Sequence, residues 1–197
     1  MKNLLKLLVL VMAVTLVFAG CTKKPTQEMN DAEIAINTVA KDGAEIYAKE
    51  ELGKLRDELA AARDQIGIQD KKPIKKYGAA REMLTKITAD AAALKTTVTA
   101  RKEEAKNNAI SAQNEAKMTL DEAKALLEKA PRGKGTRADI EALTADMKAL
   151  EVSLTEVQQA IDNEDYLGAT DKARVIKEKA SAISDQIKQA MEKVKRT

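Results

Sequence analysis

The chain has 197 residues, with 34 Lys and Arg against 31 Asp and Glu, no His, no Trp and one Cys. Without His and with a single thiol, there is no material for a His/Cys metal site, a Cys–His or Ser–His–Asp triad, or a redox pair. A net charge of +3 with both signs interleaved makes no broad basic face for nucleic acid, and three Tyr do not build a base-stacking platform. Alanine, the strongest helix former, fills 34 positions.

The chain opens on Lys2 and Lys6, then runs apolar from Leu7 to Phe18 with only Thr15 interrupting, and closes on Ala19-Gly20-Cys21. A basic start, about a dozen apolar residues and small residues before a break are the parts of a secretory signal; a membrane span needs about 20 apolar residues. Residues 1–20 are therefore expected to be removed. Phe18-Ala19-Gly20-Cys21 resembles the lipobox of bacterial lipoproteins, with Phe18 where Leu is usual. The resemblance implies cleavage between Gly20 and Cys21, a diacylglycerol on the Cys21 thiol and a palmitate-like chain on its new amino group. Two or three acyl chains hold a protein on a bilayer where one would not. Thr22 follows the cysteine, and by the same resemblance the chain faces the periplasm from the outer membrane. The alternative is the outer face of the cytoplasmic membrane. Residues 21–29 are expected to be the lipidated cysteine and a polar tether.

Residues 30–197 are expected to be one helical bundle domain, since no alternating β-branched run occurs in them. Asn30 with Glu33 suggests a capping box, and Ala32, Ile36, Val39, Gly43 and Ile46 step by four and three. The phase then slips, with a kink or short break placed at Lys41-Asp42-Gly43, before Ala48, Leu52, Leu55, Leu59, Ala62 and Ile66 resume it. Pro73 suits the first turn of a second helix running to about Lys129, roughly 85 Å by its rise. Its seam begins Tyr77, Leu84, Ile87, Ala91, Leu94, Val98 and thins between Arg101 and Lys117. There Ala105, Ala109, Ala112 and Ala116 form a stripe broken only by Ile110, suited to close packing of a partner helix.

Ala130 to Thr136 form the main reversal; Lys134 stands between Gly133 and Gly135 with no strand before it, which is not a phosphate loop. The next helix is capped by Thr136 and Asp139 and carries Ile140, Leu143, Met147, Leu150, Leu154, Val157 and Ile161. Asn163 is expected to cap the last, which carries Tyr166, Ala169, Ala173, Ile176, Ala180, Ile183, Ile187, Ala190 and Val194. The fold class is all-α: an elongated, coiled-coil-like antiparallel bundle around one very long central helix. Heptad seams alone do not tell intrachain from interchain partners.

Gly43-Ala44-Glu45-Ile46-Tyr47-Ala48 through Leu52, with Tyr77-Gly78-Ala79-Ala80 and Tyr166-Leu167-Gly168-Ala169, resemble an Ala-rich helical family of bacterial envelope lipoproteins carrying a domain of unknown function. That domain often precedes an OmpA-like peptidoglycan-binding domain. The family likeness implies a membrane-anchored helical module; wall binding is not carried over.

Three roles are compatible with this composition, none catalytic. One is a scaffold binding other envelope proteins or itself. A second is a carrier holding an apolar ligand near the Ala stripe, with Met83, Met118, Met147 and Met191 as a flexible lining. A third is a non-covalent wall or lipid contact through Lys188, Lys193, Lys195 and Arg196. No metal, nucleic acid or cofactor beyond the acyl chains on Cys21 is expected.

Overall fold

The computed structural model describes residues 23–130 and 137–195, with side chains through 192. The helices are α1 (Thr26–Val39), α2 (Glu45–Tyr47), α3 (Lys49–Asp70), α4 (Gly78–Glu128), α5 (Arg137–Asp162) and α6 (Tyr166–Lys195), with a wide π-type segment at Ala40–Ala44. No strand occurs among the described residues. The chain is thus an all-α bundle built on one long helix, α4, whose 51 residues run unbroken through the Ala-rich stretch. Its contacts group into two compact units, one through Arg101 and one from Lys102, and α4 contributes a helix to each.

In the first unit, α1 and α3 form a hairpin. Glu33 pairs with Arg63, and Lys24 with Asp70 at 2.8 Å, so the two helices run antiparallel. The phase slip is therefore a reversal of direction and not a kink in a continuing helix. Gly43 makes it possible: its φ of 115° lies where an L side chain is strained, and the ring of Tyr47 stands against the position a Cβ would take. Ile46, expected in the seam, is turned out to solvent by the same reversal. Against α4, Glu28–Arg81 and Asp42–Lys95 set α1 parallel, while Glu51–Arg101 and Glu58–Lys86 set α3 antiparallel. The core between them holds the expected seam, including Ile36, Leu52, Leu84 and Ile87, all buried.

Two helix starts differ from expectation. α1 begins at Thr26 and not at Asn30, because Pro25 is itself buried and sets the entry of the chain. α4 begins at Gly78 and not at Pro73. Tyr77 is buried, and its carbonyl accepts the first helical bond from Arg81 N–H, so the helix starts where the ring is anchored.

The second unit has the same plan. Lys102–Glu164 and Lys177–Glu115 both span 62 residues, so α4 and α6 run parallel. Gln113–Gln158 and Lys124–Glu151 set α5 antiparallel to α4, and Lys172–Glu156 sets it antiparallel to α6. Ala105, Ala109 and Ala116 are buried and Ile110 points outward, which is the close approach the stripe suggests. Asp165, not Asn163, caps α6: its carboxylate accepts the Gly168 N–H at 3.1 Å.

The two units repeat one another. Tyr77, Ala80, Leu84, Ile87, Ala91, Leu94 and Val98 match Tyr166, Ala169, Ala173, Ile176, Ala180, Ile183 and Ile187 step for step, and all are buried. Leu52, Leu55, Leu59, Ala62 and Ile66 on α3 match Met147, Leu150, Leu154, Val157 and Ile161 on α5. The connections differ. The second unit turns through Asn163-Glu164-Asp165, whereas the first inserts the longer run Lys71-Lys72-Pro73-Ile74-Lys75-Lys76 before its tyrosine.

Candidate membrane-attachment end

Gly20 and Cys21 lie outside the described residues, which begin two positions later at Lys23. From there the chain is clasped to the first unit. Arg81 donates to the Lys23 carbonyl at 3.0 Å and faces the Glu28 carboxylate at 3.3 Å. Lys24 Nζ stands 2.8 Å from Asp70, whose other oxygen accepts the Tyr77 hydroxyl. The Lys24 and Tyr77 donors hold the Asp70 carboxyl below the usual carboxylate range, and in return Asp70 raises the Tyr77 phenol. The expected tether over residues 21–29 is therefore mostly folded structure, and only Thr22 separates Cys21 from the clasped segment. Two Cα–Cα steps of about 3.8 Å limit the distance from Cys21 to Lys23 to roughly 8 Å.

Beside this entry lies the inserted connection. Its backbone is tied to α3 by Lys72 N–H to the Gln69 carbonyl at 3.1 Å and Lys76 N–H to the Gln69 side chain at 3.3 Å. Lys71, Lys72, Lys75 and Lys76 are exposed and form no ion pair with another described residue. Ile74, between them, is 73% exposed, more than any other large apolar side chain described. The density of lysine in this run is visible in the sequence. Its meeting with Lys23 and Lys24 is not, because that depends on the α1–α3 reversal.

Lys188 is exposed on α6 and 3.5 Å from Asp185, one turn away. The side chains of Lys193 and Lys195, and Arg196 altogether, fall outside the described residues. Met191 on α6 is half-buried. Met83 packs on the core of the first unit; in the second, Met147 is buried and Met118 is largely exposed. Beside Met147 an open cleft of about 260 Å³ is rimmed by Lys124, Glu128, Lys148 and Glu151, a charged border unsuited to an acyl chain.

Among the described residues no group of His, Cys, Asp or Glu could hold a metal ion, and no helix is long and apolar enough to cross a membrane. Many of the carboxylates sit in exposed pairs, along single helices as in Arg174–Glu178 and Lys86–Asp90 or across helices as in Glu51–Arg101. No protein family, curated protein or solved structure matches the chain.

Proposed function

We propose that the chain is an acyl-anchored lipoprotein whose two helical units act as a non-catalytic scaffold for protein contacts in the bacterial envelope. The observation that carries this reading is the order of parts at the N-terminus: an apolar signal, Phe18-Ala19-Gly20-Cys21, and then a strap clasped to the folded unit within two residues. Such an arrangement leaves almost no free linker, so acylation of Cys21 would bring the first unit directly to the bilayer. Most of the described seam residues are buried within the chain, which leaves charged outer faces for partners. Thr22 after the cysteine, by the resemblance to bacterial lipoproteins, points to the outer membrane, periplasmic side.

Mass spectrometry of the protein taken from membranes tests the anchor. The expected result is a chain beginning at Cys21 and carrying diacylglycerol and an amide-linked acyl chain, and C21S should accumulate as an unprocessed precursor. A chain cleaved elsewhere, with an unmodified thiol, would overturn it. Lysine cross-linking in intact cells tests the scaffold: one dominant protein neighbour is expected, and the absence of any would remove the scaffold reading.

A further inference from the structure

We propose that the Lys71–Lys76 connection is a membrane-docking surface, in which the lysines engage anionic phospholipid headgroups and Ile74 enters the interface between headgroup and acyl chain. The proposal rests on the acyl-anchor reading for its orientation and on three structural observations for its chemistry. The first is that the fold does not need this connection. The second unit joins its equivalent helices through Asn163-Glu164-Asp165, yet the first uses a longer, lysine-rich run for the same reversal.

The second observation is its composition as displayed. Lys71, Lys72, Lys75 and Lys76 are exposed and outside any ion pair among the described residues, so four cations stand together within six positions. The nearby carboxylate of Asp70 is already engaged by Lys24 and Tyr77. Among these lysines stands an isoleucine that is 73% exposed. It suits a bilayer surface, where the cations meet phosphates and the apolar side chain leaves water.

The third is position. Lys24 and Arg81 hold the entering chain against the end of α3 and the start of α4, the two elements this connection joins. Cys21 is at most roughly 8 Å from Lys23 by chain geometry. Acyl chains on Cys21 would therefore hold the first unit, and with it the lysine-rich connection, beside the headgroup layer, whose charge is felt over ~8–10 Å at physiological salt. Anchor and surface act together, as one anchor plus a basic patch does in general.

The chain has no Trp, so I74W introduces a single emitter at the proposed contact, and I34W, on exposed α1 surface of the same unit, is the control. The full chain purified from membranes is mixed with vesicles of phosphatidylcholine alone or with a third phosphatidylglycerol, some carrying brominated acyl chains. The expected result is a blue shift and bromine quenching for I74W only on the anionic vesicles, weakened by 0.5 M salt, with I34W unchanged. K71Q/K72Q/K75Q/K76Q in the I74W background should lose most of the blue shift and bromine quenching on anionic vesicles. Circular dichroism checks that these surface changes leave the helices intact. A water-like I74W signal on anionic vesicles to which the chain is bound would overturn the proposal, as would an equal signal on neutral vesicles or a shift produced by wall fragments alone. Failure of the anchor is separate: it appears as an unmodified Cys21 mass, while the I74W signal on anionic vesicles still reports on the surface.

Discussion

Lys24 and Asp70, 46 positions apart in the chain, meet at 2.8 Å and close the first unit where the polypeptide enters it. The contact is half exposed, so its role is to fix the path of the entering segment and not to stabilise the core. Its sensitivity to pH follows from the carboxylate. Asp70 titrates below its ordinary value when folded, so its contribution is present above the unfolded value of about 4 and is lost as pH falls through the lower folded value. The Thr26 amide, which donates to the Lys24 carbonyl at 2.9 Å, should be protected from exchange at pH 7 and lose that protection below about pH 4. D70N should show the unprotected rates already at pH 7. Equal protection in D70N and the parent chain would show that Pro25 burial alone holds the strap.

Gly43 is the hinge of the α1–α3 reversal. An alanine there must adopt a φ near 115° and push against the Tyr47 ring. Left-handed backbone alone costs a residue with a side chain about 1–2 kcal/mol, so G43A should destabilise the first unit by at least that much. Chemical denaturation followed by circular dichroism would measure it. A neutral G43A would mean that the reversal can relax to another turn.

Much of this architecture was legible in the residues. The steps of three and four placed nearly every buried side chain, because a seam period near 3.5 survives whatever the helix packs against. Lys41-Asp42-Gly43 marked the break, but a phase slip is the same for a kinked helix and for a reversed one; only the long-range pairs Glu33–Arg63 and Lys24–Asp70 decide. Asn30 and Glu33 satisfied a capping rule that lost to the burial of Pro25, which no local pattern encodes. The candidate attachment end was half visible. Cys21 stood out by its motif, and the lysines of 71–76 by their density, yet their common location is a product of tertiary folding. The C-terminal lysines stood out equally, and Lys188 turned out to pair within its own helix.

The Ala stripe of α4 sets how near α5 and α6 can come in the second unit. Ala109 and Ala116 have no exposed surface, so a larger side chain at either has nowhere to go without moving a neighbouring helix. A116L should lower stability by about 1–3 kcal/mol, the usual cost of overpacking a filled core. A116L as stable as the parent would point to a loose, fillable middle and would favour an apolar ligand there.

The repeated tyrosines give the sharpest comparison between the two units. Tyr77 and Tyr166 hold equivalent buried positions at the start of α4 and α6. The Tyr77 hydroxyl donates to Asp70, and the Tyr166 hydroxyl makes no hydrogen bond with another described residue. Y77F therefore strands an acceptor and loosens the clasp, and Y166F removes an atom with no such duty. The Tyr77 phenol is raised by its bond to Asp70, so this bond contributes fully below the unfolded value of about 10 and is lost as pH rises through the higher folded value. At pH 7 thermal unfolding of Y77F should begin earlier than in the parent chain while Y166F matches it, and above the folded phenol value the Y77F difference should vanish. Equal melting of the two variants at pH 7 would show that the repeat is held by its rings alone and that the Asp70 bond adds nothing.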